Sequence, residues 1–292
     1  MLLDLARLLL GVSVLAFASY TDWRWRRAPN ALWAVLGGAG VLLLLVEALS
    51  DPAPWSARWP YLLGIPVVVF LLSDSDALDL IAGVLGLGGA AAVGVLARVA
   101  PEMLPARWPF LLAVPVFAAV IYLFYRFGLI AGGADAKALM ALGTLAPFPL
   151  ALAEGVPPLA GPLPGALTIL TDSLLLFLLI PISLAIWNLA HGDARFPNLF
   201  LGVKRPARDV RQGHAWPMET VAEDGTRGTR LMASRMSEEE IAASFERIQA
   251  LGDERVWVSP KIPFMIPLLA GFVCAFFAGD LLFALMRLAH PL

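Results

Sequence analysis

Two short polar segments of this chain could together carry out acid–base chemistry. Residues 132–137 read Gly-Gly-Ala-Asp-Ala-Lys and directly follow a long hydrophobic run. Residues 20–30 read YTDWRWRRAPN and follow the first hydrophobic run of the chain. Each segment holds one carboxylate, Asp22 or Asp135, and ionisable groups beside hydrocarbon are costly, so they tend to be paired or functional. Taken alone, residues 132–137 could also be an ordinary loop between two transmembrane helices.

Two carboxyl groups are sufficient for aspartyl proteolysis. One carboxylate accepts a proton from water, while the other, protonated, polarises the scissile carbonyl. Carboxyl groups about 3 Å apart do not both ionise readily, so such a pair shares a proton. This chemistry requires no metal and no cofactor, and the sequence predicts neither. The single cysteine, Cys274, lies in an apolar run, and the three histidines lack partners at metal-ligand spacing.

The composition indicates the scaffold that must position these carboxylates. Of the 292 residues, 59% are hydrophobic and only 15% are charged. A soluble domain of this size could not bury so much apolar surface, so we predict an all-α polytopic membrane protein. The formal net charge of −2 says little about partners. We expect the lipid bilayer and no nucleic acid.

The hydrophobic runs predict about eight transmembrane helices: 2–20, 31–49, 60–72, 80–99, 109–128, 135–152, 167–190 and 263–287. A basic cluster after the first run, Arg24, Arg26 and Arg27, places the N-terminus outside and the cluster in the cytoplasm. With eight crossings, Asp22 and Asp135 both fall at cytoplasmic helix ends. An arrangement with seven crossings would place them on opposite sides of the membrane. We expect the three arginines to face lipid headgroups or the cytoplasmic domain, because inward-pointing arginines would keep both carboxyls ionised.

Residues 191–262 differ from the rest and predict a small cytoplasmic domain between the last two spans. They contain eleven of the 21 Lys and Arg residues. We therefore divide the chain into a membrane core (1–190), this domain (191–262), and a final helix with the C-terminus (263–292). Within the domain we predict a helix capped by Ser237 and Glu240, with Ile241, Phe245, Ile248 and Leu251 on one face. Residues 255–258 suggest a strand, and 196–230 look irregular.

The two polar segments together resemble the motifs of the prepilin peptidases, which are membrane-embedded GxGD aspartyl proteases. YTDWRWRRAPN matches an Asp followed by a Pro-Asn pair, and GGADAKALMALGTL matches the Gly-rich Asp motif with a nearby Lys. The resemblance implies that Asp22 and Asp135 are catalytic and that Gly132 and Gly133 shape the turn. It also implies supporting roles for Lys137, Pro29 and Asn30. The chain departs from the motif at Ala134, where the family has glycine.

The archaeal prepilin and preflagellin (prearchaellin) peptidases are the subgroup that the sequence resembles. The resemblance implies a multi-pass plasma-membrane endopeptidase that removes the short basic leader of prepilin-like or prearchaellin precursors. Its active site would face the cytoplasm and cut just before the hydrophobic helix. The chain lacks the paired CxxC motifs of bifunctional enzymes, which argues against N-methyltransferase activity.

Two other classes remain open from the sequence. A transporter would also carry intramembrane aspartates, but it would usually show internal repeats, which we do not find. A non-catalytic membrane adaptor is the second alternative. Asp74, Asp76 and Asp79 are best explained as a solvated turn or helix cap, with an auxiliary contact to a basic leader also permitted. Gly279-Asp280 falls on the outer side, so we do not expect it to be catalytic.

Overall fold

The computed structural model describes residues 2–130, 132–150, 161–210, 215–221, 227–229, 238–250, 252 and 254–289. Twelve helices occupy most of these residues: α1 Leu2–Trp25, α2 Asn30–Ser50, α3 Gly64–Leu72, α4 Asp76–Val99, α5 Trp108–Arg126, α6 Gly133–Leu145, α7 Gly165–Phe177, α8 Leu179–Ala190, α9 Asn198–Leu201, α10 Glu238–Gln249, α11 Met265–Phe277 and α12 Leu281–Ala289. The five strands are short: β1 Val203–Pro206, β2 Ala215–Pro217, β3 Glu219–Val221, β4 Arg227–Thr229 and β5 Arg255–Pro260.

Six helical stretches of the described chain are long and apolar enough to cross a membrane: Leu2–Trp25, Asn30–Ser50, Trp55–Leu72, Asp76–Val99, Trp108–Arg126 and Gly165–Ala190. They support the predicted polytopic membrane protein. The third stretch includes two 3₁₀ turns before α3. Helices α6 and α11 have 13 residues each, about 20 Å at 1.5 Å per residue, which is less than a bilayer core. The number of eight crossings therefore stays a prediction.

The chain divides into two compact units, residues 1–176 with 264–292, and residues 177–263. In the first unit α6 is the central helix, in contact with α1, α2, α3 and α5. Its residues from Ala138 to Leu145 are all buried. Helix α2 packs against it most closely, because Gly40 has no side chain: a Cβ there would lie 2.6 Å from Leu145 N. Beside this contact, the Thr144 hydroxyl donates to Gly37 O at 3.2 Å.

A buried arginine satisfies the C-terminal end of α6. Arg7, only 2% exposed, donates from Nε to Leu145 O at 2.8 Å. Its guanidinium also pairs with Glu47 at 2.9 Å and with Asp4 at 3.1 Å. A charge within a membrane segment normally needs such partners. The last carbonyl groups of a helix lack intrahelical donors, and Arg7 satisfies one of them at the buried end of α6.

Helix α11 runs antiparallel to α1. The Ser19 hydroxyl donates to Met265 O at 2.9 Å, which joins the start of α11 to the later part of α1. Further along, the Phe272 ring lies directly against Gly11, where a Cβ would overlap it. The end of α11 is therefore near the level of the α1 N-terminus.

The second unit is built on a three-stranded sheet with β5 in the centre and β1 and β2 antiparallel on either side. Strands β3 and β4 form a separate hairpin-like pair. Phe245 and Ile248 of α10 pack with Val256 and Val258 of β5 in a small core. The predicted helix and the predicted strand at 255–258 are thus confirmed, while Ser237 and Leu251 lie outside the described residues.

The prediction that residues 196–230 are irregular was wrong, because α9 and the strands β1 to β4 lie there. These strands have three or four residues each, too few to show a clear alternation of apolar and polar positions. Pro206 and Pro217 also end β1 and β2, and proline is depleted in strands.

One ion-pair cluster ties the segment after α8 to this sheet. Asp193, which is 8% exposed, pairs with Lys204 of β1 at 3.0 Å and with Arg255 of β5 at 2.9 Å. Burial alone would raise the pKa of Asp193, but the hydrogen bonds and charges of Lys204 and Arg255 outweigh it and lower the pKa below its usual range.

Candidate active site

Asp22 lies in the last turn of α1, where its side chain is half-buried. The helix ends just beyond it because Arg26 takes a left-handed conformation with φ of 55°. In this conformation the Arg26 N–H donates to Asp22 O at 3.0 Å. Such a left-handed residue is a common way for a helix to terminate. The carboxyl group of Asp22 is thereby fixed at the helix end and remains partly accessible to water.

Asp135 lies in the first turn of α6, with its side chain also half-buried. Gly132 precedes the helix in an extended conformation, and its carbonyl accepts the Ala136 N–H at 3.1 Å. A carboxylate is favoured in the first turn because of the positive end of the helix dipole. The Asp135 carboxylate lies directly against Gly132, where a Cβ would overlap Oδ2 and approach Cγ to 3.0 Å. Gly132 therefore leaves the space that the Asp135 side chain occupies.

The end of α1 and the start of α6 bring the two carboxyl groups within electrostatic range of each other. These helices are in contact, and the carboxylates of Asp22 and Asp135 interact electrostatically. Both residues are partly exposed, and two neighbouring carboxyl groups can share a proton. This arrangement is chemically able to activate water.

The three arginines of the basic cluster, Arg24, Arg26 and Arg27, lie in different environments. Arg24 and Arg27 have exposed side chains, as expected for residues that face headgroups or solvent. Arg26 departs from the expectation, because its guanidinium interacts electrostatically with Asp22. The reason is local: the left-handed turn at Arg26 brings its backbone and side chain back toward the end of α1.

Ala134, Gly133 and Lys137 of the second motif lie in α6 and show no backbone strain. Ala134 lies within α6 and has no positive φ, so the alanine in place of the family glycine fits without backbone strain. A Cβ on Gly133 would lie 3.4 Å from the Tyr125 hydroxyl, which is a normal contact. Lys137 is half-buried two residues after Asp135 and forms no ion pair with any described residue.

Pro29 and Asn30 begin α2, directly after the turn that follows Asp22. Both side chains are exposed, and the Pro29 carbonyl accepts the Leu32 N–H at 3.1 Å. Asn30 makes no side-chain hydrogen bond within the described part of the chain. Their position defines where α2 starts, and among the described residues no hydrogen bond joins them to either carboxyl group.

An apolar cavity of about 890 Å³ lies beside α6 in the first unit. Residues of α3, α4 and α5 form most of its wall, and Met140 of α6 completes it. Asp76 and Asp79 in the first turn of α4 are its acidic groups, and Asp79 Oδ1 is buried without a hydrogen-bond partner among the described residues. Met140 follows Asp135 by about one and a half helical turns. Sequence reasoning placed these aspartates at a turn and missed the cavity, which forms only when three helices pack together.

The sequence also gave no role to Asp172 of α7, which is fully buried in the structure. Its electrostatic neighbour is Asp280, the residue before α12. A single carboxylate within the apolar run 165–190 was the available signal, since such groups usually have partners.

Comparison with known proteins adds evidence from the end of the chain that lacks both motifs. Residues 194–281 match the family described as archaeal peptidase A24 C-terminus, type II. No curated protein and no solved structure matches the chain. The matched region contains neither Asp22 nor Asp135, so it is independent of the two motif segments. It supports the resemblance of this chain to the archaeal prepilin/preflagellin peptidases, which are aspartic peptidases.

Proposed function

We propose that this protein is a membrane aspartic endopeptidase whose catalytic residues are Asp22 and Asp135. The observation that carries the proposal is that α1 and α6 are in contact and place these two carboxyl groups within electrostatic range of each other. The family match at residues 194–281 supports a peptidase of the prepilin type. Gly132, Gly133 and Ala134 shape the approach to α6, while Lys137, Pro29 and Asn30 support the site without taking part in the chemistry.

The two carboxyl groups have different surroundings, which suggests different roles. Arg26 interacts with Asp22, and a guanidinium stabilises a neighbouring carboxylate anion. We therefore assign the ionised, water-activating role to Asp22 and the proton-donating role to Asp135. Asp22 takes a proton from water as the oxygen attacks the scissile carbonyl, and Asp135 protonates the carbonyl oxygen. Collapse of the resulting diol, with proton transfer to the departing nitrogen, releases the two peptides.

The proposed substrate is a type IV prepilin-like or prearchaellin precursor with a short basic leader and an apolar helix. In the proposed orientation the protein crosses the plasma membrane eight times, and the site faces the cytoplasm. The cut would fall just before the apolar helix. The cavity beside α6 offers an apolar wall to that helix, with Asp76 and Asp79 available to the leader. We propose that residues 1–190 form the protease core, 191–262 a cytoplasmic domain, and 263–292 the final helix with the C-terminus, without N-methyltransferase activity.

The experiment is cleavage of a purified precursor by the full-length protein in detergent or liposomes. Asp22→Asn and Asp135→Asn should each lower the rate by about 100-fold or more, because each removes an acid–base group. Asp74→Asn, an exposed aspartate in the turn before α4, is the matched control and should retain activity. N-terminal sequencing of the product should place the cut before the apolar helix.

Three results would count against the proposal. Full activity of either active-site variant would remove that residue from the mechanism. A cut beyond the apolar helix would contradict the prepilin-type specificity. An uncleaved precursor with correctly inserted wild-type protein would favour a non-catalytic adaptor or a transporter.

A further inference from the structure

A second pair of carboxyl groups lies deep in the first unit, separate from the candidate active site. Asp172 of α7 is 0% exposed, and Asp280, just before α12, is 1% exposed. The two carboxylates interact electrostatically. Residues 172 and 280 are far apart in sequence, so the fold itself creates this pair.

One oxygen of each carboxylate holds the first turn of α12. Asp172 Oδ1 accepts the Leu281 N–H at 3.0 Å, and Asp280 Oδ1 accepts the Phe283 N–H at 2.9 Å. These amides have no partner within the helix, so both carboxylates act as N-terminal caps. The Cys274 thiol of α11 also bonds to Asp172. The pair therefore joins α7, α11 and α12.

The second oxygen of each carboxylate accepts no hydrogen bond from the part of the chain that the structure describes. Both Asp172 Oδ2 and Asp280 Oδ2 are buried and unsatisfied by these residues. Gly161 lies against the Asp280 carboxylate, where a Cβ would overlap Oδ2. An unsatisfied buried charged oxygen carries a large desolvation cost, so each of these atoms requires a proton or a cation.

The geometry separates this pair from Asp22 and Asp135. The start of α11 lies beside Ser19 of α1, near Asp22, and α11 then runs antiparallel to α1. Asp280 follows the end of α11, about 20 Å away along the 13-residue helix. Complete burial also denies the pair the water that hydrolysis consumes. It is therefore not a second proteolytic site.

The surroundings favour a proton over a metal ion. The groups that act on Asp172 are Asp280, the Cys274 thiol and the Leu281 amide, and none carries a positive charge. Arg287 on α12 has an exposed side chain. Cations such as Ca²⁺ take six to eight oxygen ligands, whereas the described pair offers two unsatisfied oxygens.

We propose that Asp172 and Asp280 form a proton-binding site in which their Oδ2 atoms share a proton that locks α12 onto α7. Removing that proton would leave two buried negative charges facing each other with no compensating cation among their described neighbours. The folded state then loses stability as the pH rises. The inference does not depend on the proposed peptidase activity.

The test is thermal unfolding of the full-length protein in detergent from mildly acidic to alkaline pH. Wild type should show a falling Tm as the pH rises. Asp172→Asn and Asp280→Asn should each show a flatter profile, because the amide supplies a donor in place of the shared proton and removes one charge. Asp74→Asn, which changes an exposed aspartate, is the control and should follow the wild-type slope.

Infrared spectroscopy gives a direct readout that does not rely on stability. In a protein that carries Asp22→Asn and Asp135→Asn, a protonated carboxylic acid band should persist at neutral pH and disappear when Asp172→Asn is added. Absence of that band, or equal pH slopes for all four proteins in the unfolding test, would overturn the proposal. A stability that depends on sodium or calcium and loses that dependence in Asp172→Asn would overturn it in favour of a cation. The band at neutral pH is recorded in a protein that retains both Asp172 and Asp280. This measurement therefore does not require the Asp172→Asn or Asp280→Asn protein to fold.

Discussion

At the scale of single residues, the candidate site depends on the absence of a side chain at Gly132 as well as on the Asp135 carboxylate. Gly132 has no side chain, and the Asp135 carboxylate fills that space. The neighbouring Gly133 faces the Tyr125 hydroxyl at ordinary contact distance. Two adjacent glycines in one motif thus meet different neighbours. Of the two, only Gly132 leaves the space that the Asp135 carboxylate occupies.

This difference gives a residue-scale prediction. Gly132→Ala should push the Asp135 carboxyl group out of position and lower peptidase activity by at least tenfold, with little change in Tm, because the carboxylate is the movable end of a side chain. Gly133→Ala is the matched control and should stay within a few-fold of wild type. The measurement is the cleavage rate of a precursor together with thermal unfolding. Equal rates for the two variants would show that the space beside Gly132 is not needed.

At the scale of elements, the position of Asp135 depends on the position of α6, which carries it. This helix is held at one end by Arg7, whose guanidinium bonds to Leu145 O, and along its side by α2. Gly40 allows the two backbones to approach, and Thr144 bonds back to Gly37. Small residues at such contacts are typical of helix packing in membranes. Asp135 is thus positioned by residues far from it in sequence.

The element-scale prediction uses two glycines of α2. Gly40→Ala places a methyl group against the backbone of Thr144 and Leu145, which cannot yield without moving α6, and should cost about 1–3 kcal/mol by overpacking. Peptidase activity should fall with it. Gly38→Ala, whose Cβ would meet nothing within 4 Å, should leave both stability and activity unchanged. A Gly40→Ala protein as stable and active as Gly38→Ala would contradict this account of α2 and α6.

At the scale of the whole molecule, the function requires a particular orientation in the membrane. The stretch Trp55–Leu72 is one of the six that are long and apolar enough to cross. Ser56 lies at its beginning and Ser75 just beyond its end, and both are exposed. In the proposed orientation the first faces outward, and the second faces the cytoplasm on the same side as Asp22.

Cysteine labelling tests this orientation. In a Cys274→Ser background, Ser56→Cys should react with an impermeant thiol reagent in intact cells. Ser75→Cys should react only after the membrane is opened. Labelling of both from outside would show that this stretch does not cross, and the reverse pattern would place the proposed active site outside the cell.

The sequence predicted the class of protein, because apolar runs are local signals. It also singled out Asp22 and Asp135 by the same kind of signal, and their catalytic role stays a prediction. It did not predict where α6 ends, since the predicted span ran to residue 152 and the helix stops at Leu145. The available local signal was Pro147, because the residue before a proline disfavours the helical conformation. The hydrogen bond from Arg7 to Leu145 O, by contrast, joins residues that no local pattern connects. Asp172 and Asp280 were missed as a pair for the same reason: each is a single acid in an apolar context until the fold brings them together.

The shortness of α6 also affects how the protein is made. A nascent segment of 13 residues that includes Asp135 and Lys137 is too short and too polar to partition into lipid by itself. Helices α2 and α5 leave the ribosome earlier and provide the surface on which α6 is buried. Insertion of α6 must therefore follow that of its neighbours. The carboxyl pair then assembles only when α6 inserts beside α1, which precedes it in the chain.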